Sequence, residues 1–297
     1  MLLQNYLHAS RSLAKLSSLG DIRESNANQH IVSSLLDIAC DSDSTIDQIY
    51  SAALALLAPS NPMVSVQGGT LPKTSELAGA KVADFQIGMY PVTMEEWQGV
   101  RNWGVENGYD MSEGSGGGPS HPVVEVNWYD CVKWCNAKSE MEGIKPVYST
   151  KEGIYKKGTT GLSGVELGSG YRLLQEAEWE WAARGGLYSQ GYNYAGSNNL
   201  SAVAWYSDNS KDATTRYSAV HAVGQKAPNE LDLFDMSGNV WEFCWDSGRP
   251  GGRPGTYRRI RGGSCCDDEG DCRISYGDGS LVDGIDWKTG FRIARSL

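Results

Sequence analysis

The sequence predicts an α+β domain with much irregular loop, preceded by an N-terminal helical segment. Three observations carry this expectation. Residues 1 to about 60 show apolar residues at helical spacing and almost no Trp or Gly. From Met63 onward, short strand-like runs alternate with Gly turns. Two well-marked helical patterns, one after Asn127 and one from Glu176 to Arg184, are embedded among those runs.

The elements follow in order. Leu3, Tyr6 and Leu7 mark a first helix, and Ile31, Leu35 and Ile38 a second. Thr45-Ile46-Asp47-Gln48 has the form of a capping box. Ile46, Ile49, Tyr50, Ala53, Leu54 and Leu57 then repeat at helical spacing, and Pro59 stops the helix. The boundary falls at residues 60–62, giving a helical segment 1–60 and a domain 61–297. The segment reads as a packing element or dimerisation arm and carries no chemical motif. VSVQGGT and DFQIGMYPVT read as short strands with Gly turns. Asn127 caps a helix that carries Cys131, Trp134, Cys135 and Lys138, with Asp130 in its first turn. In EAEWEWAAR, acids open the helix, Arg184 closes it, and Gly185-Gly186 terminate it. Loops rich in Gly and Ser span 113–119 and 158–170, and beyond Gly186 only turns and short strands are expected.

Composition narrows the function classes. The formal charge of −10 argues against nucleic acid and against anionic membrane surfaces. No window of about 18 apolar residues exists to span a bilayer, so direct membrane insertion is not expected. The N-terminus lacks the pattern of a secretion signal. The seven Cys cannot all pair and give no paired zinc knuckles; Cys131 and Cys135 read as buried free thiols. Ten Trp and fifteen Tyr against four Phe fit either a Trp-rich core or a binding surface.

Eight blocks then occur in sequence: VQGGT, FQIGMYPVTMEEWQ, HPVVEVNWYDCVKWC, YRLLQEAEWEWAARGG, AWYSDNS, VGQKAPNELDLFDMSGNVWEFCWD, RGGS and GFRIARS. Together they resemble the formylglycine-generating-enzyme (sulfatase-modifying factor) domain, a loop-rich variant of the C-type lectin fold. One departure is Leu174-Gln175, where the family usually has Pro-Thr, so the following helix lacks its usual cap. Fold leaves function open, because the family includes copper oxidases, iron-dependent sulfoxide synthases, chaperone-like members and pure binders.

The oxidase, the alternative to a binding function, resembles a copper(I) enzyme with Cys three and eight residues after the Ser of Arg-Gly-Gly-Ser. Counted from Ser264, those positions are Asp267 and Cys272. A carboxylate suits soft copper(I) poorly. Cys266 is one residue out of place. The four His (8, 30, 121 and 221) form no ligand pattern for iron, and no nucleophile elbow marks a hydrolase. No catalytic cofactor is therefore expected. The resemblance does imply a structural calcium ion held by Asp235, the carbonyls of Gly238 and Val240, and Glu242; the alternative is that Glu242 pairs with an Arg.

The run from Cys265 to Asp286 also resembles the variable window of retroelement-diversified proteins of the Treponema type. Such windows follow Arg-Gly-Gly-Ser, precede Gly-Phe-Arg and keep a Cys-Arg pair, here Cys272-Arg273. Their mutable Asn codons cannot give Glu, Lys, Gln, Met or Trp, and only Glu269 in this run falls outside the allowed set. The resemblance implies a non-catalytic, monomeric, surface-displayed or extracellular binder of a protein or glycan target. Cys266, Asp267, Asp268, Gly270, Asp271, Gly277, Asp278, Gly279, Ser280, Asp283, Gly284, Ile285 and Asp286 are expected to face solvent. Tyr276, Trp287 and Ile285 would anchor the target. Arg273, Phe291, Arg292, Trp241 and Trp245 are expected to be buried supports.

Overall fold

The computed structural model describes residues 61–165, 168–211, 217–248 and 255–297. The helical reading of 1–60 lies outside the described residues. Two four-stranded sheets organise the rest. Their strands, in chain order, are β1 (Met63–Val66), β2 (Phe85–Gly88), β3 (Tyr171–Leu173), β4 (Trp241–Ser247), β5 (Tyr257–Arg261), β6 (Gly277–Leu281), β7 (Thr289–Phe291) and β8 (Ile293–Ser296). The first sheet runs β1-β2-β8-β3 and is antiparallel throughout. The second runs β6-β5-β4-β7 and is antiparallel except for the parallel pair β4-β7. Only Arg292 separates β7 from β8, so the chain passes from one sheet to the other across a single residue.

Three helices pack with these sheets: α1 (Met94–Glu106), α2 (Trp128–Met141) and α3 (Glu176–Ala183). Helix α2 begins as expected, with Asn127 Oδ1 accepting from the Asp130 amide at 3.0 Å. Cys131 and Cys135 are both fully buried free thiols. Burial pushes each thiol's pKa up. Helix α1 was not marked by the sequence reading. Its signal was Thr93-x-x-Glu96, and Thr93 Oγ1 does accept from the Glu96 amide. Gly99 and Gly104 disguise its pattern. Gly104 is there for contact, since a Cβ would lie 2.5 Å from Met111 Cε.

Helix α3 lacks a Ser or Thr cap, as the Leu174-Gln175 departure implies. The fold supplies two substitutes. Glu178 reaches back to the Gln175 amide at 2.9 Å. Asp246, from β4, accepts from the Glu176 amide at 2.6 Å. Gly185 then ends the helix in the left-handed region at φ 87°.

The Trp surplus is mostly core. Trp97, Trp128, Trp134 and Trp179 are fully buried. Trp97 and Trp134 stack 6.2 Å apart, with Phe291 edge-on to both. Each buried indole N–H has an acceptor: Glu113 O, Cys244 O, Trp97 O and the Glu242 carboxylate respectively.

Candidate functional site

The framing motifs form a buried polar lattice beneath the C-terminal window. Arg261 is fully buried and pairs with Glu176 at 3.0 Å and Glu180 at 2.9 Å. It also donates to the carbonyl of Ile274, inside the window. Arg292 is fully buried and pairs with Glu242 at 2.8 Å. Its remaining N–H groups reach the carbonyls of Gly88, Met89 and Phe234 at 2.7–2.9 Å. Buried charges of this kind persist only when paired and hydrogen-bonded.

The window's backbone is tied down along its length. The Cys265 amide donates to Asn239 O, Ile274 to Asn193 O and Val282 to Thr256 O, each at 2.9–3.0 Å. Between these ties, β6 pairs with β5 over the whole of Tyr257–Arg261. Near the end, the amides of Trp128 and Glu125 donate to Val282 O and Asp286 O.

Side-chain exposure along the window is mixed. Asp268, Gly270, Tyr276, Asp283 and Ile285 are exposed; Cys266, Asp271, Asp278, Ser280, Gly284 and Asp286 are half-buried. The large apolar side chains there are prominent: Tyr276 is 40% exposed, Leu281 41%, Ile285 63% and Trp287 44%.

Several expectations need correction. Asp267 is an internal tie rather than a solvent-facing side chain. It accepts from Trp241 Nε1 at 2.7 Å, from Lys288 Nζ at 3.0 Å and from the Ser264 hydroxyl. Gly279 is buried in β6. Gly277 has no room for a side chain: a Cβ would lie 2.6 Å from Arg259 Nη2 and 2.8 Å from Arg261 Nη1. Arg273 is exposed, while its neighbour Cys272 is fully buried. Trp245 is half-buried. Phe291, Arg292 and Trp241 are buried as expected.

Of the calcium ligands expected at Asp235, Gly238, Val240 and Glu242, the two carboxylates, Asp235 and Glu242, have protein partners. Glu242 places both carboxylate oxygens on Arg292, and one also takes Trp179 Nε1. Asp235 accepts from the Gly224 amide at 2.8 Å, and burial pushes its pKa up to about 6. Gly238 sits at φ 75° with its amide on Gly262 O. This arrangement does not fit a calcium shell, because both oxygens of Glu242 are already engaged by the buried Arg292 guanidinium. Among the described residues, no group of three or more His, Cys, Asp or Glu is arranged to hold a metal.

The two positions that correspond to the oxidase's cysteines also differ in chemistry. Cys272 is buried, and burial drives its thiol pKa well up. Asp267 is held by its three partners. The sequence reading missed the Cys265-Cys266 contact, in which a hydrogen bond from the Cys265 thiol pulls the Cys266 thiol's pKa down. Adjacent cysteines in sequence were its only signal.

The family described as "Sulfatase-modifying factor enzyme 1-like domain" matches residues 55–297. The chain belongs to that family, and its fold is the mixed, loop-rich one that the family implies. Chaperone protein LppX of Paenibacillus barcinonensis is 34% identical over 80% of this chain and 90% of its own. The formylglycine-generating enzyme of Thermomonospora curvata is 30% identical over 59% of this chain and 56% of its own, so the chain spans just over half of that enzyme. Among solved structures, CarF aligns with a TM-score of 0.69 at 29% identity, over 80% of this chain and 98% of its own. Treponema denticola variable protein 1 aligns with a TM-score of 0.62 at 26% identity, over 78% of this chain and 94% of its own. Enzymes and a chaperone thus stand side by side among the relatives. Among the described residues, no helix is long and apolar enough to cross a membrane.

Proposed function

We propose that this protein is a non-catalytic binder whose 265–286 surface meets a protein or glycan target and is diversified by a retroelement. The observation that carries the reading is the concentration of exposed large apolar side chains in that window and at the residue that follows it. Tyr276, Leu281, Ile285 and Trp287 lie within twelve residues of chain, on a backbone tied to the scaffold. Exposed aromatic and aliphatic anchors among small polar residues are what adaptable binding surfaces present. A fixed backbone lowers the ordering cost of binding. The likeness to Treponema denticola variable protein 1 supports the same reading. Such a binder would work at the cell surface or outside the cell.

Two features weigh against oxidase chemistry: a carboxylate tied to Trp241 and Lys288 at one family cysteine position, and a buried thiol at the other. A second binding reading, a chaperone whose surface holds client chains, is favoured by the 34% identity to LppX. Sequencing many isolates of the locus separates the two. Diversification predicts substitutions confined to the exposed window positions, matching Asn codons in a nearby template repeat. A window as uniform as its flanks overturns it and favours the chaperone.

A further inference from the structure

A second candidate site is lined by residues outside the 265–286 window, although one of them, Arg258, pairs with Ser280 of that window across β5 and β6. A cavity of about 300 Å³ opens between α2, β4, β5 and the loop 159–165. Tyr129, Leu162 and Trp245 give it apolar walls, Thr160 and Ser163 give it hydroxyls, and Arg258 lies at one side. Its volume falls at the lower end of the range for small-molecule pockets.

Arg258 is what makes the cavity informative. Its guanidinium carbon lies over Trp128, 3.8 Å from the ring centroid, and 5.2 Å from that of Trp245. Nη1 donates to Trp245 O at 2.8 Å. Nε is buried and has no acceptor. The contrast with other arginines of the domain is sharp. Arg172, Arg184, Arg259, Arg261 and Arg292 each meet a carboxylate within 3.0 Å. Arg258 meets none among the described residues. The acid placed to influence it, Asp246, instead accepts from the Glu176 amide. Burial disfavours its charge. A guanidinium held over an indole, with no carboxylate partner among the described residues and a cavity at its side, leaves a charge that a small anion would neutralise.

We infer that this cavity binds a small carboxylate with an apolar or aromatic body, its carboxylate on Arg258 and its body against Tyr129, Leu162 and Trp245. The rings already packed on Trp245, Trp128 tilted at 5.1 Å and Tyr148 stacked at 5.1 Å, hold that wall in place before a ligand arrives. Thr160 and Ser163 can hydrogen-bond the carboxylate's remaining lone pairs. The inference does not rest on the window's role, since none of the lining residues lies between 265 and 286, although Arg258 pairs with Ser280 across β5 and β6.

The test uses the full chain and two isosteric probes, benzoate and neutral benzamide, titrated while tryptophan fluorescence and heat are recorded. Saturable benzoate binding, with benzamide weaker by about tenfold or more, supports the site. Arg258→Gln should lose that discrimination and Arg258→Lys should keep part of it, while Ile285→Ser should leave it unchanged. No saturation by benzoate at about 10 mM, or equal binding of the two probes, overturns the inference. Because the probe comparison is made on the unmodified protein, it holds even if an Arg258 variant fails to fold.

Discussion

Glu242 and Asp283 are both carboxylates of the same domain, yet they do opposite things. Glu242 is fully buried and binds Arg292 and Trp179 at once. Asp283 faces solvent in the turn after β6. The lattice under the window uses charge to fix geometry, whereas the window's outer positions present side chains that the fold does not consult. The difference teaches that acidity in this sequence has two meanings. Only the partners, never the residue type, tell them apart.

The largest effect should come from breaking the lattice. Glu242→Gln leaves Arg292 buried without its counter-charge and should cost about 3–5 kcal/mol in urea unfolding. Survival of this variant with near-native stability would dissolve the contrast between the regions.

Gly277→Ala sharpens the boundary, because Gly277 belongs to the window by sequence and to the lattice by contact. Its new Cβ would press on Arg259 and on Arg261, which is held by two carboxylates. A loss of about 1–3 kcal/mol is expected, against less than about 0.5 for Ile285→Ser. Similar values for the two would mean that exposure does not divide the window.

Asp235 gives a pH signature. Its folded pKa, about 6, lies above the ordinary 3.8 because it is buried. The folded state therefore holds this proton more tightly than the unfolded chain does. The contribution is fully present below pH 3.8 and is lost as pH rises through 6. The melting temperature of Asp235→Asn minus that of the wild type should accordingly rise between pH 4 and 7. In the same samples, calcium should not raise the wild-type melting temperature, since Glu242 is committed to Arg292. A calcium-dependent rise would show that the carboxylate changes partners.

Much of this was legible in the sequence. Ordered motif blocks marked the domain's family, Asn127 placed α2, and the alternation of Gly turns with short runs marked short strands without giving their sheet order. Helix α1 escaped because Gly99 and Gly104 interrupt its pattern; Gly104 answers to a contact with Met111, beyond the end of the helix, that periodicity does not reveal. Half of the cap of α3, Glu178 on the Gln175 amide, is local, whereas the other half escaped because Asp246 lies 70 residues downstream. In the window, the exposed Asp268, Asp283 and Ile285 followed from position between framing motifs. Asp267 and Gly277 did not, since burial there depends on Trp241, Lys288, Arg259 and Arg261, which meet the window only in three dimensions, and Arg273 is exposed where burial was expected. The Arg258 cavity gave no sequence signal, because an unpaired arginine reads the same as a paired one.

The most direct test of the account is the unfolding free energy of a triple variant, Tyr276→Ser, Asp283→Ser and Ile285→Ser together, measured against the wild type. If these positions are presented by the scaffold without supporting it, the variant should lie within about 1 kcal/mol of the wild type. A loss above about 3 kcal/mol would show that the window holds the fold together and would contradict the account.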